Sequence, residues 1–380
     1  MIYIDTQSDL ESTCNLLNRE TVITFDCEFI RETTFVPVLC LVQISTRDNI
    51  YIIDPLNLEL EPLFVILSNE NILKIMHSST QDIDVFYKNF SLIPKPIFDT
   101  QIAASFLGYG DSISYAKLVK QITKEVLCKD SKLTNWQMRP LKESQLNYAM
   151  SDVKYLFQIY DDLLKKLKEK ERVDWFEAEV QDLYNIDNYY VDPDESWKRV
   201  KGSGIKPFFI NYLKAFSKLR EEIAVRTNRP RRFVMKDEVL IQLSNLQPQS
   251  QEDILHDRIL KKTLSKDLIR KLVEVSLSVD KNSEELKIPK HKKLSGNKEL
   301  ICDILKLFLK YTAKKYDIAA KYIARTEELE KFIQGKLDDI RFLSGWRYEI
   351  FGQDVQRIEA GEVVPRIINH KLVFHQEKML

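Results

Sequence analysis

Nowhere in these 380 residues does an apolar run approach the length needed to cross a bilayer, so a helical membrane protein is excluded. The five cysteines (Cys14, Cys27, Cys40, Cys128 and Cys302) form no C-x-x-C pair and make no even set. A disulfide scaffold is therefore excluded, and the thiols read as reduced core fillers. The opening MIYIDTQSDLESTC carries early acids instead of the basic-then-apolar pattern of an export signal, so a cytoplasmic location is expected. No short-period repeat is visible. Net charge is missing as well, with 57 Lys+Arg balanced by 57 Asp+Glu.

The composition that remains, 44% hydrophobic and 30% charged, is that of a globular protein able to bury real cores, and the length predicts two or three domains. The zero net charge hides an asymmetry. Residues 1–190 hold 19 Lys+Arg against 29 Asp+Glu, whereas residues 191–380 hold 38 against 28. An acidic half joined to a basic half suggests cation-dependent chemistry in one and polyanion binding in the other. Long solvated helices that merely differ in charge would give the same count.

The first part alternates strand and helix signals. IYID, TVITFDCEFI, VLCLVQISTR and IYIIDP read as strands, with the last three close enough to be antiparallel neighbours. DLESTCNLLN and LEPLFVILSN read as helices, ILKIMHS as a strand and TQDIDVFYKNF as a helix. IFDTQIAASFLGYG, SISYAKLVKQITKEV and LKESQLNYAMSDVKYLFQIYDDLLKKLKEKERV are also helical in pattern. This order predicts a mixed sheet with helices packed on it. Beyond it, an aperiodic stretch with Pro193, Gly202 and Gly204 reads as a linker, and a lysine-rich one with Lys287, Lys290, Lys292, Lys293 and Lys298 as a basic connector. The expected plan is a domain over 1–190, a linker over 191–206, a helical bundle over 207–282, a connector over 283–298 and a second bundle over 299–380.

The chemistry lies in acids. In FDCEF, Asp26 and Glu28 sit two apart on a strand, so both point to one face about 7 Å apart. Two like charges there resist desolvation. HSSTQDIDVF places Asp82 at a helix start after a strand, and YAMSD puts Tyr148 and Asp152 four apart on one helix face. Each pattern alone is common on a solvated surface. Together, four acids from a strand, a helix start and a second helix suit hard divalent cations, Mg²⁺ or Mn²⁺. A pair of such ions, roughly 3.5–4 Å apart, would relieve the repulsion and clamp a reacting phosphodiester, with Tyr148 holding the attacking water.

FDCEF, HSSTQDIDVF and YAMSD resemble the three exonuclease motifs of the DEDD superfamily, in the subclass with tyrosine in the third. ETTFVPVLCLVQIS, IFDTQIAASFLG and NWQMRPLKESQLNYAMSDVKYL narrow the resemblance to ribonuclease D. It implies a ribonuclease H-like mixed-sheet exonuclease domain that trims RNA from the 3′ end and releases nucleoside 5′-monophosphates, with 3′-extended precursor tRNA as the usual substrate. It further implies that Asp26, Glu28 and Asp152 hold one ion, that Asp26 and Asp82 hold the other, and that Tyr148 orients the water. Asp84 lies two positions beyond Asp82 and faces elsewhere on the helix, and the alignment favours Asp82. Asn135 departs from the family, which commonly has Asp before the Trp. His77 reads as packing or support at a strand end, not a general base. Arg139 is open between substrate phosphate and a structural salt bridge.

In the basic half, FSKLREEIAVRTNRPRRFVMKDEVLIQLSNLQPQS resembles the HRDC domain, the helicase-and-ribonuclease-D C-terminal module, and SGWRYEIFG marks a diverged second copy. Arg226, Arg229, Arg231 and Arg232 crowd one loop with Lys261 and Lys262 downstream, and clustered cations suit RNA phosphates. Trp346 reads as a core anchor in preference to a base-stacking platform. Two alternatives stay open at this point: a related DNA exonuclease, and an RNA-binding scaffold with an inactive nuclease domain.

Overall fold

The computed structural model describes residues 1–127, 134–201, 209–280 and 294–376. Cys128, the two linker glycines and most of the basic connector, Lys287 to Lys293 included, lie outside them.

Six strands form one mixed sheet in the order β1-β4-β3-β2-β5-β6. They are β1 (Ile2–Ile4), β2 (Val22–Ile30), β3 (Val38–Ser45), β4 (Ile50–Ile53), β5 (Leu73–Met76) and β6 (Ile97–Asp99). The short links between β2, β3 and β4 make these neighbours antiparallel, as their spacing predicts, while β5 returns parallel to β2 after a helix. β2 and β3 are central and covered on both faces, which is why they read as nearly continuous apolar runs. The strand β6 is hidden in IFDTQIAASFLG, where the helical pattern of the following residues dominates.

Among the described residues, eight α-helices clothe this sheet: α1 (Gln7–Leu17), α2 (Glu61–Ser68), α3 (Thr80–Phe90), α4 (Thr100–Ser105), α5 (Tyr115–Thr123), α6 (Glu143–Lys154), α7 (Leu156–Glu169) and α8 (Val173–Gln181). What reads as one long helix after Lys142 is two, which meet at Tyr155, the C-cap of α6 and the N-cap of α7. That break turns α6 across β2, β3 and β4, where Ala149 packs with Cys40, Leu41, Ile52 and Trp136. Each fully buried large side chain, such as Phe25 or Phe86, contributes roughly 1.5–3 kcal/mol.

The first helical bundle comprises α9 (Ile210–Thr227), α10 (Arg231–Val234), α11 (Asp237–Leu246), α12 (Gln251–His256), α13 (Arg258–Thr263) and α14 (Lys266–Ser278). Its core of Leu213, Phe216, Leu240, Leu243 and Leu272 is separate from that of the sheet domain. The expected linker differs here. Residues Pro193–Arg199 form a 3-10 helix whose Trp197 packs on this bundle, with Lys214 over its ring at 5.1 Å. Trp197, Val200 and an ion pair between Lys218 and Asp194 at 2.7 Å hold a segment that has no helical periodicity to announce it.

The last region contains α15 (Asn297–Tyr316), α16 (Ala320–Ile323), α17 (Thr326–Ile333), α18 (Gly345–Arg347) and α19 (Gln353–Glu359), then a hairpin of β7 (Val363–Ile368) and β8 (Lys371–Gln376). It therefore differs from the expected second all-helical bundle. Nor is it an independent module: Phe308, Phe342, Trp346 and Phe351 belong to the same continuous core as the nuclease sheet. The seam is tight at Gly108, where an added Cβ would meet the Asp317 carboxylate at 2.9 Å and where φ is +83°.

Candidate active site

The alternation of β2 sends Asp26 and Glu28 to one face, opposite Gln43 and Leu41 on the neighbouring strand. α6 crosses that face and delivers Asp152. One carboxylate oxygen from each of Asp26, Glu28 and Asp152 lies within 4.8 Å of the other two. Among the described residues this is the one group of three or more His, Cys, Asp or Glu side chains so close together. Burial pushes the Asp26 carboxyl well above the usual range, and the charges of Asp82, Asp152 and Glu28 add to the effect. Oxygen-only donors with mutual repulsion are what a hard divalent cation requires, so these residues fit such an ion.

Asp82 stands outside that set of three. It is buried in the first turn of α3, and Cys27, facing away from Asp26 on β2, donates its thiol to Asp82 Oδ1 at 3.1 Å. Burial pushes the Asp82 carboxyl up to about 7, with the Cys27 hydrogen bond opposing it. The approach to α3 is held by a residue to which the sequence assigns no role. The Asp99 carboxylate accepts hydrogen bonds from Ser79 N and Ser79 Oγ, both at 2.8 Å, and from Ser78 N at 3.2 Å. It thereby stabilises Ser78 at φ 60°. Asp84 is committed elsewhere, paired with Arg31 and, at 2.9 Å, with Lys88.

Tyr148 is half-buried beside the acids, its ring 6.1 Å from that of Trp136. Burial raises its phenol, and Asp152, Glu28 and Asp26 raise it further, so it remains a neutral donor. A second tyrosine sets the helix that carries Asp152: Tyr115 donates to Ser151 O at 3.1 Å and accepts from Tyr155 N at 3.3 Å, tying down the break between α6 and α7. His77 contacts Thr100 Oγ1 at 2.9 Å and Ile113 O at 3.1 Å, and its ring lies 5.5 Å from that of Tyr115. Both its nitrogens serve the scaffold. Gln43 is fully buried opposite Asp26 with neither polar side-chain atom bonded to any described residue. A polar residue amid LCLVQIS is the one signal that could have singled it out, since a buried amide without a partner is costly.

Arg139, left open between substrate phosphate and a structural salt bridge, and Arg231, offered as an RNA contact, are both engaged in the scaffold. Arg139 pairs with Asp54 and donates to Cys40 O at 2.8 Å and Trp136 O at 2.7 Å. Arg231 pairs with the buried carboxylate of Glu221 and lies over the Phe35 ring at 4.8 Å. Beside it, Asn228 Oδ1 accepts from Phe35 N at 3.1 Å and Val36 N at 2.9 Å, docking the first bundle on the loop that follows β2. Arg226, Arg229 and Arg232 are exposed. Trp346 is buried, as its reading as a core anchor anticipates.

The chain matches the 3′-5′ exonuclease family over residues 1–168 and the HRDC domain over residues 211–274. A curated ribonuclease D of Bartonella henselae is 39% identical, covering 98% of this chain and 93% of its own length. The chain belongs to the ribonuclease D family. Ribonuclease D of Jannaschia sp. is 37% identical over 95% of each chain. The crystal structure of Escherichia coli RNase D, described as an exoribonuclease involved in structured RNA processing, superposes with a TM-score of 0.82 at 25% identity. That superposition covers 94% of this chain and 98% of the other. Ribonuclease D membership makes this a 3′→5′ exoribonuclease of RNA processing, a hydrolase dependent on divalent metal. Its architecture is the family's: a ribonuclease H-like mixed-sheet nuclease domain followed by a helical C-terminal region with an HRDC domain. No helix among the described residues is long and apolar enough to cross a membrane.

Proposed function

We propose that the protein trims 3′ extensions from precursor tRNA in the cytoplasm, releasing nucleoside 5′-monophosphates one at a time. The observation that carries this reading is the approach of Asp26, Glu28 and Asp152 to within 4.8 Å of one another beside Tyr148. Asp26, Glu28 and Asp152 would hold one divalent cation, Mg²⁺ or Mn²⁺, and Asp26 and Asp82 would hold a second. Bound cations neutralise the carboxylates, acidify the attacking water and stabilise charge on the phosphate. Tyr148, kept neutral, positions that water through its phenolic oxygen. Arg229 and Arg232, which are exposed and make no ion pair among the described residues, meet RNA phosphates. The structured-RNA role described for the Escherichia coli relative, superposed along nearly the whole chain, supports a folded substrate such as tRNA.

The test uses 3′-extended tRNA labelled at its 5′ end, incubated with and without Mg²⁺ or Mn²⁺. A ladder that shortens from the 3′ end only when metal is present is expected. Internal cuts, or equal turnover of a matched DNA strand, would overturn the reading.

A further inference from the structure

Gln43 lies within β3, and its side chain is fully buried. Its neighbours Leu41, Val42 and Ile44 are apolar and fully buried as well. Neither the carbonyl oxygen nor the amide nitrogen of this side chain has a hydrogen-bond partner among the described residues. A buried amide in that state destabilises a fold, whereas leucine or methionine would fill the space without the penalty. Core packing therefore does not explain the residue.

The register of the sheet decides what the amide faces. Gln43 is paired directly with Asp26 on β2 and with Ile52 on β4, and residues paired in this way share a face. Ile52 offers no polar side-chain atom. Ala149 of α6 shares a core with Leu41 and Ile52, so α6 covers the face that carries Gln43. Two positions along that face the next cross-strand pair is Thr24 and Ser45. Their hydroxyls hydrogen-bond each other at 2.6 Å, and Ser45 N donates to Thr24 Oγ1 at 3.0 Å. That pair satisfies itself, whereas Gln43 is left idle beside Asp26, the acid proposed for both cations. Directly opposed side chains start about 4.5–5.5 Å apart at Cβ, a gap that glutamine spans with a change of rotamer.

We infer that Gln43 is a positioning residue for the reaction: its amide nitrogen donates to the Asp26 carboxylate when that carboxylate holds a cation, and so fixes its orientation. The inference rests on the proposed reading of Asp26 as a cation ligand. A carboxylate on a cation is ionised and only accepts hydrogen bonds, and a neutral amide donates without adding charge. A lysine or arginine at position 43 would instead neutralise Asp26 and compete with the cation. The amide steers the carboxylate and leaves its charge to the metal. The penalty of the idle amide falls on the metal-free protein, and the loaded protein recovers the hydrogen bond. Groups that hydrogen-bond metal-ligating side chains in this way are worth about ten- to a hundredfold in metal affinity.

The experiment compares the parent with Gln43→Met, which keeps the length and removes the donor, and with Asp26→Asn. Mn²⁺ binding is followed by electron paramagnetic resonance without RNA, and melting temperature is measured in EDTA. For Gln43→Met, Mn²⁺ affinity is expected to weaken by about tenfold or more. In EDTA the same variant should melt above the parent, because the unpaired amide is gone. A lower melting temperature there would show that the amide has a partner without metal, and would overturn the inference. Mn²⁺ binding lost in Asp26→Asn but parent-like in Gln43→Met would keep the cation site and remove Gln43 from it. Parent-like binding in both would overturn the site assignment as well. A crystal structure of the unaltered protein with Mg²⁺ tests the same contact without any substitution. Gln43 Nε2 is expected about 2.7–3.2 Å from an Asp26 carboxylate oxygen. An amide bonded to a buried water instead, with Asp26 out of reach, would overturn the inference.

Discussion

The indole of Trp346 stacks on that of Trp175, ring centroids 4.8 Å apart and planes 13° from parallel. One belongs to the C-terminal region and the other to α8 of the nuclease domain. Around them Arg347 pairs with Glu179, and Arg172 donates to Tyr316 O at 2.6 Å. Ala319 N adds a backbone hydrogen bond to Ser105 O at 3.0 Å. Two regions joined this way share one core, so they should unfold together. Trp346→Ala leaves a cavity at the seam and is expected to cost about 3–5 kcal/mol. Calorimetry should show one main transition for both regions in the parent protein, shifted down in the variant. Independent melting of the C-terminal region would contradict the shared core.

Asp26→Asn keeps the shape of the side chain and removes the charge that Asp82, Asp152 and Glu28 all oppose. Turnover is expected to fall by about a thousandfold or more, the equivalent of several kcal/mol of lost electrostatic stabilisation. In EDTA the same variant should melt at a higher temperature than the parent, since the repulsion it relieves is then uncompensated. A lower melting temperature without metal would argue that Asp26 has a stabilising partner.

The pH dependence of stability follows from Asp82. Its carboxyl ionises at about 7 in the folded protein and near 3.9 in an unfolded chain. Between these values the folded state binds more protons than the unfolded one, so this group makes stability fall as pH rises, and the loss is complete above about 7. Asp82→Asn does not titrate. The melting temperature of the variant relative to the parent, both in EDTA, should therefore climb from pH 5 to pH 8. A constant difference would refute the assignment.

Tyr148→Phe removes only the hydroxyl and retains the ring against Trp136. A phenol that positions water acts in the transition state, so kcat should drop by about a hundredfold with KM nearly unchanged. A rise in KM alone would make Tyr148 a substrate-binding residue instead.

Much of the site was legible in linear form. The D-x-E spacing on an apolar strand, the acid at a helix start and the Tyr-Asp pair four apart are patterns of local period, and each lies on the element its period predicts. β6 escaped notice because three strand residues run directly into the apolar helix that follows. Asp99 and Tyr115 escaped for another reason. Their roles depend on Ser79 and Tyr155, which lie 20 and 40 positions away, and no local pattern encodes such a meeting.

The chain alone determined the inventory of acids, the alternation of strand and helix, and the acidic and basic halves, since these are properties of residue type and short-range spacing. Only the folded molecule decided which acids converge: three close together, with Asp82 held back by a cysteine on the opposite face of β2. It also decided that Arg139 and Arg231 serve buried carboxylates, and that the C-terminal region completes the nuclease core. Those outcomes depend on which surfaces exclude water together, a property of contacts between distant segments that composition and periodicity do not contain.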